Sequence, residues 1–213
     1  MQLLAKVVVG SLFLAGSSLS QANPDVLSIQ QQWAKINYQS ENNAQQISAF
    51  KALESDAVHY VEQHPEDAAG LTWLAIVQAS AARAIGGMDA LNYAERAKNH
   101  FEQAIAIDEG VLEGTALSSL ATLYHKVPGW PISFGSDSKA EKLFLQALEL
   151  NPAGIDPNYF YAEYLYDEGE YEDALSYLEQ ASHAPARPAR PLADKGRHQA
   201  IAALKQKIAD ELK

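Results

Sequence analysis

The sequence predicts an all-α fold, and three observations carry that expectation. Apolar residues recur at helical spacing almost everywhere after Pro24, the mark of amphipathic helices. Runs of alternating β-branched residues between tight hairpin turns are absent, so no strand is expected. A pattern of small and large residues in the second half recurs at a fixed interval, as it does where like helix pairs stack.

The periodicity predicts helices over residues 24–38, 44–64, 67–85, 89–107, 111–126, 137–150, 157–168, 171–183 and 192–212. Their ends fall at residues that stop a helix, by lacking an N–H or by tolerating a left-handed backbone. Pro65 follows the second helix, Gly86-Gly87 the third, Gly129 the fifth, Asn151-Pro152 the sixth and Gly169 the seventh. The proline-rich stretch 185–191 separates the eighth from the ninth. Asp67, Asp89 and Asp137 stand where a side-chain oxygen can accept from the free amides of a first turn, so each is expected to be an N-cap.

The strongest pattern is repetition. Ala140-x3-Phe144-x2-Ala147 superimposes on Ala174-x3-Leu178-x2-Ala181 at an interval of 34 residues, and a third copy reads Ala97-x3-Phe101-x2-Ala104. That copy stands 43 residues before its successor, with the excess mostly at residues 126–138. The preceding helices carry Leu120-Ala121-x2-Tyr124 and Tyr161-Ala162-x2-Leu165. Small residues suit the line where paired helices approach closely, and the aromatic or leucine fills the space between pairs.

On these residues the chain resembles the tetratricopeptide-repeat (TPR) family over roughly residues 67–186. The resemblance implies antiparallel helix pairs stacked into a right-handed superhelix with a concave binding face. In the first unit Leu74-Ala75 is followed by Gln78 where the family usually has tyrosine, and about ten extra residues precede Ala97. Residues 47–65 look like the second helix of a degenerate earlier unit, and residues 192–212 like the solvating cap such arrays need. The expected organisation is therefore a leader over 1–22, N-terminal helices with a degenerate half-repeat over 23–66, repeats over 67–186, and a linker with a capping helix over 187–213.

The leader is read from Lys6, the apolar run from Val7 to Ala15 and the small residues ending at Ser20-Gln21-Ala22. That is the layout of a secretory signal peptide, with cleavage expected after Ala22. Its apolar run is shorter than the about 20 residues a helix needs to span a bilayer core, so no stable membrane insertion is expected. The chain has no cysteine, which leaves no lipid-attachment site and no disulfide framework. The expected location is periplasmic, as a soluble protein that is not a lipoprotein.

The formal net charge is −11, and the 16 basic residues lie among 27 acidic ones. Nucleic acid is not an expected partner, because phosphate backbones need clustered Lys and Arg. A narrower resemblance lies in VPGWPISFGSDSKAEKLFLQALELNPAGIDPNYFYAEYLYDEGEYEDAL and the following RPARPLADKGR. This part looks like exported bacterial repeat proteins and is similar in layout to the T-component of TRAP-type transporters, a helical protein that accompanies a periplasmic solute-binding partner.

TPR geometry implies an inner face carrying Tyr159, Glu163, Tyr166 and Asp167. Spacings of four and three residues put the first three on one stripe. The equivalent stripe one unit earlier carries Ser118, Thr122, His125 and Lys126. An acidic, aromatic wall facing a weakly basic one suits a peptide or a small polar ligand; the alternative is that the tyrosines pack between repeats. The loop from Val127 to Gly135 is too apolar for an ordinary solvated connection, so Trp130 and Phe134 are expected to be buried, shaping the groove or filling a gap at its edge. Trp130 therefore joins the groove candidates.

Catalytic, metal and cofactor sites are not expected. There is no cysteine, G-x-S-x-G elbow, phosphate-cradling glycine loop or HExxH motif. His59 and His64 are five residues apart and point to different faces. Asn151, Asp156 and Asn158 lack the register of a calcium loop and read as a helix stop followed by turn and cap residues. Glu170 and Glu172 read as solvated acids, and residues 185–191 as a stiff linker. The expected function is a non-enzymatic scaffold or adaptor of the cell envelope with a protein or peptide in its groove. The alternative is a small-molecule-binding accessory of a TRAP-type transport system. An open trough favours the first and a closed pocket the second.

Overall fold

The computed structural model describes residues 24–213, so the leader expected over residues 1–22 lies outside the described residues. Among the described residues the chain is all-α. The elements are α1 (Pro24–Gln39), α2 (Asn43–Gln63), α3 (Ala68–Ile85), α4 (Asp89–Ile107), α5 (Val111–Lys126), α6 (Asp137–Leu150), α7 (Ile155–Asp167), α8 (Tyr171–Ser182) and α9 (Pro191–Glu211). The only β-type pairing among the described residues is an isolated bridge between Gly129 and Gly135.

Helix α3 packs with α4, α5 with α6, and α7 with α8, and the short connections at residues 86–88 and 168–170 make the first and last of these pairs antiparallel. The repeated small-large-small pattern lies in these seams. Ala97, Phe101 and Ala104 on α4, Ala140, Phe144 and Ala147 on α6, and Ala174, Leu178 and Ala181 on α8 are all buried. The α5–α6 approach is close enough that a Cβ on Gly114 would stand 3.4 Å from the Ala147 backbone. Gly114 is left-handed with φ 77°, and so are Leu112 and Glu113 at φ 49° and 56°, a conformation rare without glycine. The turn at 112–114 is tied by Thr115 Oγ1 donating to the Leu112 carbonyl at 2.6 Å and by Asn151 Nδ2 donating to Glu113 at 3.1 Å.

Helix α3 is apolar on all sides because it serves two cores. Trp73, Leu74, Val77 and Ala81 pack with α1 and α2, whereas Leu71, Ala75 and Ala82 join the core shared by α4 to α9. By length and composition α3 could cross a membrane, yet 67% of it is buried inside the protein, which accounts for its apolarity. The departure at Gln78 has a partner in space. Its amide donates to Glu54 at 3.0 Å and its carbonyl oxygen meets His100 Nδ1 at 2.8 Å, while Arg96 reaches Glu54 at 2.6 Å. Polar groups from three helices thus replace the expected aromatic.

Helices α1, α3, α5 and α7 touch in succession, α9 touches α7 and α8, and α9 also reaches back to α1. The second helices lack such backbone proximity: α2 reaches α4 through the Glu54–Arg96 ion pair, and neither α4 with α6 nor α6 with α8 comes as close. The first helices of successive pairs therefore form one row of contacts, and α9 closes that row into a ring.

Three local expectations change. Asp67 caps α3, accepting from the Ala69 amide at 2.9 Å, but Asp89 and Asp137 are the first residues inside their helices. There they favour the positive end of the helix dipole. The segment 185–191 is more than a linker, since Arg187, Arg190 and Arg197 form part of a buried cluster with Asp156 and Asp194.

Candidate functional site

The inner ring encloses a pocket of about 50 Å3. Its walls come from α1 (Trp33, Tyr38), α3 (Trp73, Ile76), α5 (Thr115, Ser119) and α7 (Asp156, Phe160), and it is closed by Arg187 and Arg190 of the linker and Arg197 of α9. Four residues separate Thr115 from Ser119 and Asp156 from Phe160, which puts each pair on one helix face. The left-handed turn at 112–114 sets Thr115 at the start of its wall.

Asp156 organises the closed side. Arg197 Nε donates to Oδ1 at 2.8 Å and Arg187 bonds Oδ2, while Arg187 Nε donates to Asp194 at 2.7 Å. Burial pushes the Asp156 carboxyl up, but the charges of Arg197, Arg187 and Arg190 more than reverse this and hold it well below the usual carboxylate range. Asp156 is therefore the anchor of the ring closure and not the turn or cap residue expected from its neighbours. Arg190 is different. Its guanidinium lies over the Trp73 ring at 4.9 Å, its Nε is buried without a hydrogen-bond partner, and burial pushes its pKa down.

The eight residues anticipated for the groove separate into four groups. His125, Lys126 and Asp167 meet at the C-terminal ends of α5 and α7: His125 Nε2 stands 2.9 Å from Asp167, Lys126 bonds the same carboxylate, and His125 Nδ1 stands 2.8 Å from Asp137. Against the upward push of burial, the Lys126 and His125 bonds hold the Asp167 carboxyl below its usual range. Thr122 and Glu163 are half-buried on the same two helices, with Thr122 donating to the Ser118 carbonyl at 2.9 Å.

The tyrosines leave the groove. Tyr159 is buried beneath the Arg197 guanidinium, 4.3 Å from the ring centroid, and donates to Glu163 at 3.4 Å. Burial, then the Glu163 charge, pushes its hydroxyl up to about 12, with Arg197 opposing. Tyr166 leans toward α8, its ring 5.7 Å from that of Tyr171. A step of seven residues falls about 20° short of two full turns, enough for neighbours to draw one end of a stripe aside.

Trp130 departs furthest from expectation, being 89% exposed. The loop closes on itself through the Gly135 amide to the Pro128 carbonyl at 3.0 Å and the Ile132 amide to the Gly129 carbonyl at 3.1 Å. This tight turn sends Phe134 inward, edge-on to Tyr124 at 5.5 Å, and leaves Trp130 and Ile132 at the tip. A Cβ at Gly135 would stand 1.8 Å from the Val127 carbonyl oxygen, so the return path requires glycine. Trp130 borders an open cleft of about 720 Å3 with Phe134 of its own loop, Leu91 and Glu95 of α4 and Lys139 of α6, away from the inner helices.

His125, Asp137 and Glu168 present ligand atoms within 4.8 Å of one another, a donor set that could hold a divalent cation. Both His125 ring nitrogens are already within hydrogen-bond distance of a carboxylate, and Lys126 occupies Asp167. Sequence spacing could not find the pocket, because two of its arginines lie within a proline-rich stretch, the third follows on α9, and they meet Asp156 only when α9 folds back. The available signal was three arginines within RPARPLADKGR of an otherwise acidic chain. No family model matches the chain, and no curated protein matches it.

Proposed function

We propose that this protein is a non-enzymatic adaptor of the tetratricopeptide-repeat type, exported to the cell envelope, that docks a protein partner on the Trp130 loop. The observation that carries the reading is the 89% exposure of Trp130 on a loop pinned by its own backbone hydrogen bonds. An indole held out by an ordered loop adds large contact area with little entropy left to lose, the character of an interface anchor. Ile132, 61% exposed, extends the apolar tip, and Glu95 and Lys139 in the neighbouring cleft offer a polar rim. The three buried small-large-small seams support the repeat type. The layout of residues 1–22 supports export. Because α9 bridges α7 and α1 and closes the row of first helices, the partner is assigned to the loop and not to the concave face.

A photo-crosslinking amino acid at position 130, in the full chain within the envelope, tests this. One adduct to a different protein, lost when Ile132→Asp is added, is the expected result. An adduct only to a second copy of the chain, or none above that from an exposed position such as Glu109, would exclude the adaptor reading.

A further inference from the structure

We propose that the chamber at the centre of the helix ring binds a small organic carboxylate, with Arg190 and Trp73 as its donors and Trp33 and Phe160 against its apolar body. Two buried donors, Arg190 Nε and Trp73 Nε1, have no hydrogen-bond partner, and both residues line this chamber. A buried N–H without an acceptor is costly, so two beside one cavity call for an acceptor between them.

The charge balance calls for an anion. Arg187 and Arg197 share Asp156, and Arg187 also bonds Asp194. Among the described residues Arg190 has no carboxylate within ion-pair distance, so three guanidinium groups face two carboxylates. The surplus positive charge sits within a chain of net charge −11. Arg190 is also the residue at the N-terminal end of the 21-residue α9, where the helix dipole adds to it. Pro191 restricts the backbone of Arg190, whose amide donates to the Arg187 carbonyl at 2.8 Å and whose guanidinium lies over the Trp73 ring at 4.9 Å, so the side chain is oriented before a ligand arrives.

The remaining walls select an organic anion over an inorganic one. The chamber of about 50 Å3 exceeds the about 10–15 Å3 that one water requires, room for a carboxylate with a short body. Trp33, Phe160 and Ile76 supply apolar wall beside the donors, the Thr115 hydroxyl is already donated to the Leu112 carbonyl, and the Asp156 carboxylate in the lining opposes the second charge of a phosphate. The flat fork of an arginine matches a carboxylate through two parallel hydrogen bonds. This site is on the first helices of the array and does not depend on a partner at Trp130.

Titrating the full chain with sodium propionate, by calorimetry and by the shift in Tm, tests the assignment, with sodium chloride at equal ionic strength as reference. The expected result is saturable binding, weakened about tenfold or more in Arg190→Gln, as loss of a charge-assisted hydrogen bond implies. Trp73→Phe, which keeps the ring bulk and removes the N–H, is expected to weaken it less. Absence of propionate binding to the unaltered chain would overturn the proposal, as would unchanged affinity in Arg190→Gln. Inorganic phosphate binding more tightly than propionate would overturn the organic assignment. Should Arg190→Gln fail to fold by circular dichroism, Trp73→Phe and Arg190→Lys decide, and full affinity in both would sink the proposal.

Discussion

Gly196 lies directly against the Tyr38 ring: a Cβ at position 196 would stand 2.3 Å from Tyr38 Cε1. This contact is where α9 meets α1, and only a residue without a side chain permits it. Gly196→Ala is therefore expected to lose about 1–3 kcal/mol of stability by overpacking, measured by urea denaturation. In a Tyr38→Ala background the sign should reverse, because alanine is about 1 kcal/mol better than glycine within a helix. Equal effects in both backgrounds would mean that the two residues do not couple.

Asp156 is 14% exposed at its side chain and holds Arg187 and Arg197 together. Asp156→Asn leaves the buried Arg197 without its carboxylate partner and Arg187 with Asp194 alone, and should lower stability by about 3–5 kcal/mol. Its folded carboxyl is depressed, so the stability it contributes is present above the unfolded value of about 3.9 and is lost as pH falls below it. The acid limb of the Tm profile should flatten in the variant, and an identical limb would remove Asp156 as its cause.

Trp130 and Phe134 belong to one loop but face opposite ways. Trp130→Ala should change stability by no more than about 0.5 kcal/mol while removing the adduct formed from a crosslinker placed at position 132. Phe134→Ala should cost about 1–2 kcal/mol through lost contact with Tyr124. Thermal melts of both variants check the distinction, and a larger loss from Trp130→Ala would show that the indole is a packing residue.

His100 is held below its usual pKa by burial, with the Arg96 charge adding to the effect. The unfolded chain therefore takes up a proton first as pH falls, so the stability of the Gln78–His100 contact is complete above about 6.5 and declines below it. His100→Gln should weaken the dependence of Tm on pH between about 5 and 7. An unchanged slope would assign that dependence to other groups.

Ala97, Ala140 and Ala174 could be read in advance because each belongs to a pattern within one helix that recurs along the chain, and close helix contact tolerates little else there. Helix positions followed from the same local logic, with breakers such as Gly169 and Asn151-Pro152 near the ends. Gln78 was legible as a departure from the repeat but not as a bridge to Glu54 and His100, since those partners lie on other helices. The Trp130 loop misled because apolar content argues for burial, whereas the turn closed at Gly129 and Gly135 permits only one of its two aromatics to turn inward.

Local periodicity thus determines the all-α architecture and the seams between helix pairs, because helix formation and seam packing depend on residues a few positions apart. The ring closure, the pairing of Asp156 with Arg187 and Arg197, and the placement of Arg190 over Trp73 were decided only by the tertiary structure. They require α9 to return to α1, and the charges and rings that meet there carry no common spacing along the chain.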